Sequence, residues 1–107
     1  MNILFICSRN KWRSPTAETI YKNYSELNVK SAGTEPSARI KITAKAIIWA
    51  DLIFVMEKKH KQRIQEKFSF EIANKKIINL DIPDDYQYMD PELIEEIKSK
   101  VHLYISQ

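Results

Sequence analysis

With 107 residues, the chain has the length of one compact domain and can bury a core without disulfide or metal staples. Hydrophobic residues make up 44% and charged residues 29%, and no apolar run approaches a membrane span or a signal-peptide core, so a soluble, cytoplasmic protein with no membrane partner is expected. The net charge of +3 favours anionic partners but falls short of a nucleic-acid signature, and one cysteine with two separated histidines excludes an internal disulfide and makes a poor metal set.

Ile3 to Ile6 is continuously apolar, as expected of a central strand buried on both faces of a parallel sheet. After a loop, Ser14 and Pro15 read as an N-cap and first helical residue, and Ala17, Ile20, Tyr21, Tyr24 and Leu27 follow at helical spacing. A short strand at Val29 to Ala32 runs to Gly33, the only glycine, and a turn containing Pro36. The pattern predicts a helix over Ile40 to Ala50, then a fully apolar strand over Leu52 to Met56. His60, Ile64 and Phe68 recur four apart among Lys and Arg, which predicts an amphipathic helix from Glu57 to Phe68. A last strand over Lys75 to Leu80 leads into the polar loop DIPDDYQYMDPE. There Asp90 and Pro91 open a closing helix whose core face is Leu93, Ile94, Ile97, Val101, Tyr104 and Ile105.

Strands alternating with helices imply an α/β, three-layer fold with a four-stranded parallel sheet in the order 2-1-3-4 and helices on both faces. In such sheets ligands sit beyond the carboxyl ends of the strands where the order reverses, which is beside strand 1. The loop from Cys7 to Arg13 occupies that point. A loop wrapping into a helix N-terminus aims backbone N–H groups at one spot, forming an oxyanion nest, and the same field favours a thiolate at Cys7 that Ser14 can steady by a hydrogen bond. Arg13 adds a planar fork matched to two phosphate oxygens. Cysteine, five residues, arginine therefore couples a nucleophile to an oxyanion clamp.

CSRNKWRSP resembles the signature of the low-molecular-weight protein tyrosine phosphatases, and the resemblance continues in SAGT (Ser31 to Thr34), ADLIFVMEKKH (Ala50 to His60) and DIPDD (Asp81 to Asp85), in that family's order. It implies a flavodoxin-like, phosphotyrosine phosphatase I-like fold over a single domain, residues 1–107. It also implies a metal-independent phosphomonoesterase acting on a phosphorylated protein or small aryl phosphate, without cofactor. Carried over, Cys7 attacks phosphorus to give a phosphocysteine, and Arg13 with the loop residues Ser8, Arg9, Asn10, Lys11, Trp12 and Ser14 holds the phosphate. Asp84 is the general acid, with Asp85 its rival, and Trp12 and Tyr86 are candidate substrate contacts.

Position 9 is arginine where the family usually has glycine, so Asn10 is the residue expected to take a positive φ. Trp12 stands where many members carry a second cysteine, which leaves Cys7 with no resolving thiol. The segment between SAGT and Ala50 is shorter than usual; in the family it supplies an aromatic wall of the cleft. Arg9 and Lys11 are either solvated charges or a positive rim around the site. His60 and His102 are assigned packing or surface roles, Trp49 a core role, and Tyr88 no role beyond pinning its loop. Three alternatives stay open: a phosphate-binding module without turnover, a phosphocysteine carrier, and an arsenate reductase working through external thiols.

Overall fold

A computed structural model describes residues 1–105. Its four strands are β1 (Asn2–Cys7), β2 (Asn28–Gly33), β3 (Leu52–Val55) and β4 (Lys76–Asn79), and its helices are α1 (Arg13–Tyr21), α2 (Ala44–Trp49), α3 (Lys58–Lys67) and α4 (Pro91–Ile105). The strands pair in parallel in the order β2-β1-β3-β4, as the alternation of apolar runs predicts. β1 is central because its residues are apolar on both faces. Ile3 and Phe5 point into one core with Tyr21 of α1 and Leu93 and Ile97 of α4. Leu4 and Ile6 point into the other, with Ile47 of α2 and Ile64 of α3. Burying each of these large side chains contributes roughly 1.5–3 kcal/mol.

Three local expectations are corrected. Helix α1 begins at Arg13, with Trp12 at the N-cap position and no side chain capping it, so Ser14 lies inside the helix and Pro15 follows it. Ser14 does not cap because its hydroxyl is committed to Cys7, which leaves the first N–H groups of the helix facing the loop. The same helix stops at Tyr21, and Tyr24 and Leu27 belong to successive tight turns, with Tyr24 exposed. Helix α2 is shorter than its pattern: Ile40 and Ile48 face solvent, and the helix starts only after Thr43, whose hydroxyl accepts from the Ala46 N–H. At the other end of the chain, Asp90 caps α4 as expected, its carboxylate accepting from the Glu92 N–H at 2.8 Å.

Gly33 closes β2 opposite Cys7 in the register. A Cβ there would lie 2.6 Å from the Ser8 carbonyl oxygen and 2.6 Å from the Ala38 Cβ, so the backbone of β2 and the loop after β1 can meet this closely only at a glycine.

Candidate active site

The loop from Ser8 to Trp12 wraps beyond the carboxyl end of β1, between the crossover to β2 and the crossover to β3, where the strand order reverses. Asn10 takes the positive φ, at 55°, as its tolerance of the left-handed region predicts. It is fully buried. Its side-chain amide donates to Ser14 Oγ and to Ser31 Oγ, both at 2.9 Å, and Ser31 in turn donates to Glu18 Oε1. Its backbone N–H points at Cys7 Sγ at 3.2 Å.

Ser14 Oγ lies 2.9 Å from the sulfur. Because that oxygen already accepts from Asn10, its own proton is free, and the sulfur is nearer than the alternative acceptor, the Ala32 carbonyl at 3.4 Å. A sulfur receiving an O–H and a backbone N–H is placed to carry negative charge.

Arg13 is 1% exposed. Its Nη1 donates to Glu57 Oε2 at 2.5 Å and to the Ile82 carbonyl at 2.8 Å. Of the five guanidinium donors, Nε–H and the two on Nη2 remain, which are the donors that form a bidentate fork. Asp84 stands at the edge of that fork, Oδ1 3.6 Å from Nε, with its side chain mostly in solvent. Burial alone would raise the Glu57 carboxyl, but its hydrogen bond to Arg13 and the charge of Arg13 outweigh this and hold it below the ordinary carboxylate range.

His60 is a correction to the sequence reading, which kept it away from the loop. It is fully buried; Nδ1 accepts from the Glu57 N–H at 3.0 Å, so the ring proton sits on Nε2, which reaches Ser8 Oγ at 2.8 Å. Burial, and then the charge of Arg13, push His60 down to about 4, so the ring is neutral near pH 7. The Ser8 hydroxyl accepts from this ring and keeps its own proton to donate into the cleft.

One cleft is lined by Cys7, Ser8, Arg9, Lys11, Trp12, Arg13 and Asp84. Asn10 and Ser14, expected at the phosphate, are instead buried behind it, where they brace the loop and the sulfur. Asp85 is exposed and does not line the cleft. Tyr86 does not line it either; its ring is half-buried against the core. Tyr88 pins the late loop to α1, its hydroxyl 2.8 Å from Thr19 Oγ1. Thr16 adds a second tie, accepting from the Met89 N–H at 2.9 Å. Trp49 is half-buried on the α2/α3 side. Among the described residues, no group of three or more His, Cys, Asp or Glu is arranged to hold a metal ion, and no helix is long and apolar enough to cross a membrane.

The sequence reading missed Glu57 and His60. The signal was present for His60, which shares the buried face of α3 with Ile64; a histidine on such a face needs polar partners.

Residues 2–49 match the family model of the low molecular weight phosphotyrosine protein phosphatase. The chain is 32% identical over 95 residues to a protein-arginine-phosphatase of Bacillus subtilis (strain 168), covering 64% of this chain and spanning only 63% of that relative's length. It is 31% identical, over an alignment of 117 positions covering 81% of each chain, to the low molecular weight protein-tyrosine-phosphatase Ptp of Acinetobacter johnsonii. The fold superposes on the tyrosine phosphatase Wzb from Escherichia coli K30, solved with phosphate, with a TM-score of 0.77 and 21% identity over 96% of this chain and 94% of that one. The chain belongs to the low molecular weight protein-tyrosine-phosphatase family.

Proposed function

We propose that the chain hydrolyses a phosphate monoester, phosphotyrosine on a protein or a related aryl phosphate, through a phosphocysteine. The observation that carries this is the meeting of Cys7, Arg13 and Asp84 at one cleft. The Cys7 sulfur attacks phosphorus in line with the departing phenol, the Nε/Nη2 edge of Arg13 and the loop N–H groups hold the equatorial oxygens, and Ser8 donates a further hydrogen bond. Asp84 gives its proton to the phenol oxygen and then takes one from the water that cleaves the phosphocysteine. Trp12, in the wall of the cleft, offers a face on which an aryl group stacks.

The Ser14 and Asn10 donors weaken the sulfur as a nucleophile but also lower its cost as a leaving group, which suits the second step, where sulfur departs from phosphorus. The experiment is turnover of p-nitrophenyl phosphate by the wild type beside Cys7→Ser and Asp84→Ala. Loss of turnover in Cys7→Ser, together with a mildly acidic optimum in the wild type, supports the reading. Unchanged turnover in Cys7→Ser, or a rate that climbs steadily from pH 5 to 9, contradicts it.

The Bacillus subtilis relative is a protein-arginine-phosphatase, which makes phosphoarginine a second reading. Matched peptides bearing phosphotyrosine or phosphoarginine separate the two. The cationic residues Arg9 and Lys11 at the cleft favour the substrate without a guanidinium.

A further inference from the structure

A second concavity adjoins the cleft and shares residues with it: it is lined by Arg9, Lys11, Ser37 and Arg39, and the first two also line the cleft itself. Arg39 comes from the segment after β2 and is docked onto the loop twice. Its backbone N–H donates to the Arg9 carbonyl at 3.0 Å, and its Nε donates to the Asn10 carbonyl at 3.1 Å. The terminal nitrogens of Arg39 are left free of the loop.

Elsewhere in this region cations have partners: Arg13 is paired with Glu57, and Arg63 with Glu35 at 2.8 Å. Among the described residues, no carboxylate lies within ion-pair distance of Arg9, Lys11 or Arg39. Three exposed cations held side by side repel one another, and an anion placed among them relieves that repulsion.

We infer that Arg9, Lys11 and Arg39, with Ser37, form a specificity subsite for an acidic side chain flanking the phosphorylated residue of a peptide substrate. The inference rests on the phosphatase reading for what occupies the cleft. Its geometry is short-range. An extended peptide advances roughly 3.5 Å per residue, so a carboxylate one to three positions from the phosphorylated residue reaches the three cations while the phosphate sits over Cys7. Arg9 supplies one charge from the loop itself, and the segment between β2 and α2 brings Arg39 beside it.

The test compares three phosphotyrosine peptides, flanked on both sides by Glu, by Ala or by Lys, with p-nitrophenyl phosphate as the substrate that has no flank. The expected order of kcat/KM is Glu above Ala above Lys, with at least about fivefold between the extremes at low salt and less at high salt. Arg39→Gln, whose amide can still donate to the Asn10 carbonyl, should lower kcat/KM for the Glu peptide about threefold and leave p-nitrophenyl phosphate turnover unchanged. Binding of the same peptides to Cys7→Ser provides a readout that needs no turnover.

Equal kcat/KM for the three peptides, alongside Cys7-dependent turnover of p-nitrophenyl phosphate, overturns the subsite and spares the phosphatase reading. No turnover of any substrate, with Cys7→Ser still preferring the Glu peptide, has the reverse meaning. Equal affinity of Cys7→Ser for all three peptides overturns the subsite whatever the turnover.

Discussion

Two loops meet over Cys7, and they are held in different ways. The loop from Ser8 to Trp12 is locked by buried polar bonds: the Asn10 amide to two hydroxyls, Ser8 to the ring of His60, and the Ser8 and Arg9 carbonyls to N–H groups of the segment after β2. The late loop, from Asp81 to Asp90, is anchored on either side of its acid, at buried Ile82, whose N–H bonds the Met56 carbonyl and whose carbonyl bonds Arg13, and beyond it by Tyr86 against the core, Tyr88 to Thr19 and Met89 to Thr16, but it leaves Asp84 largely in solvent. The anion cradle is thus braced by bonds to its own framework, whereas the residue proposed to move protons stands exposed between two anchored stretches. Preorganisation is concentrated where charge must be stabilised.

The sharpest way to separate the two loops is to remove their central groups. Cys7→Ala should bring turnover of p-nitrophenyl phosphate below detection and abolish the phosphoenzyme seen by intact-mass spectrometry after acid quench, with little change in thermal unfolding. Asp84→Asn should cost about 100- to 10,000-fold with a poor leaving group such as phenyl phosphate, far less with p-nitrophenyl phosphate, and under about 0.5 kcal/mol of stability by urea unfolding. A large loss of stability in Asp84→Asn would mean that the exposed Asp84 itself helps to hold the late loop.

The locked loop should respond in the opposite way. Asn10→Ala removes two buried donors and puts a less suitable residue at φ 55°, so it should cost about 1–3 kcal/mol in urea unfolding and, by displacing the cradle, about 10- to 100-fold in kcat/KM.

The smallest effect expected is in pH dependence. His60 is pushed down to about 4 in the folded chain, against an ordinary 6.5, so between those values the unfolded chain binds more protons. Stability should therefore fall as pH drops from about 7 toward 4. The loss is on the order of 1–2 kcal/mol between pH 7 and 5, and His60→Gln should flatten that slope. An identical slope in wild type and variant would remove His60 from the bracing of the loop.

Much of this architecture is legible in the sequence, and the parts that are not share a cause. Ile3 to Ile6 and Leu52 to Met56 announce their place because burial on both faces of a sheet demands uninterrupted apolar residues. Cys7, Arg13 and the positive φ of Asn10 were accessible because the spacing and the backbone preference act locally. Glu57 and His60 reach Arg13 and Ser8 across 44 and 52 positions of sequence, a separation that no periodicity encodes. Ser14 misled for a subtler reason: Ser followed by Pro is good helix-opening chemistry, yet here the hydroxyl serves the sulfur, and the helix opens two residues earlier. The packing of Tyr86 was not legible either, because an aromatic in a polar loop is equally suited to a cleft and to a core.

Gly33 bears a burden out of proportion to its size. The cradle contains no glycine of its own, and it relies on this one bare Cα in the adjacent strand to let its carbonyls come close. One added methyl would press on the Ser8 carbonyl, the Arg9 backbone and the Ala38 side chain together, so the loop or the strand would have to give way. A single missing carbon thus sets how near the first strand's loop can lie to its neighbour.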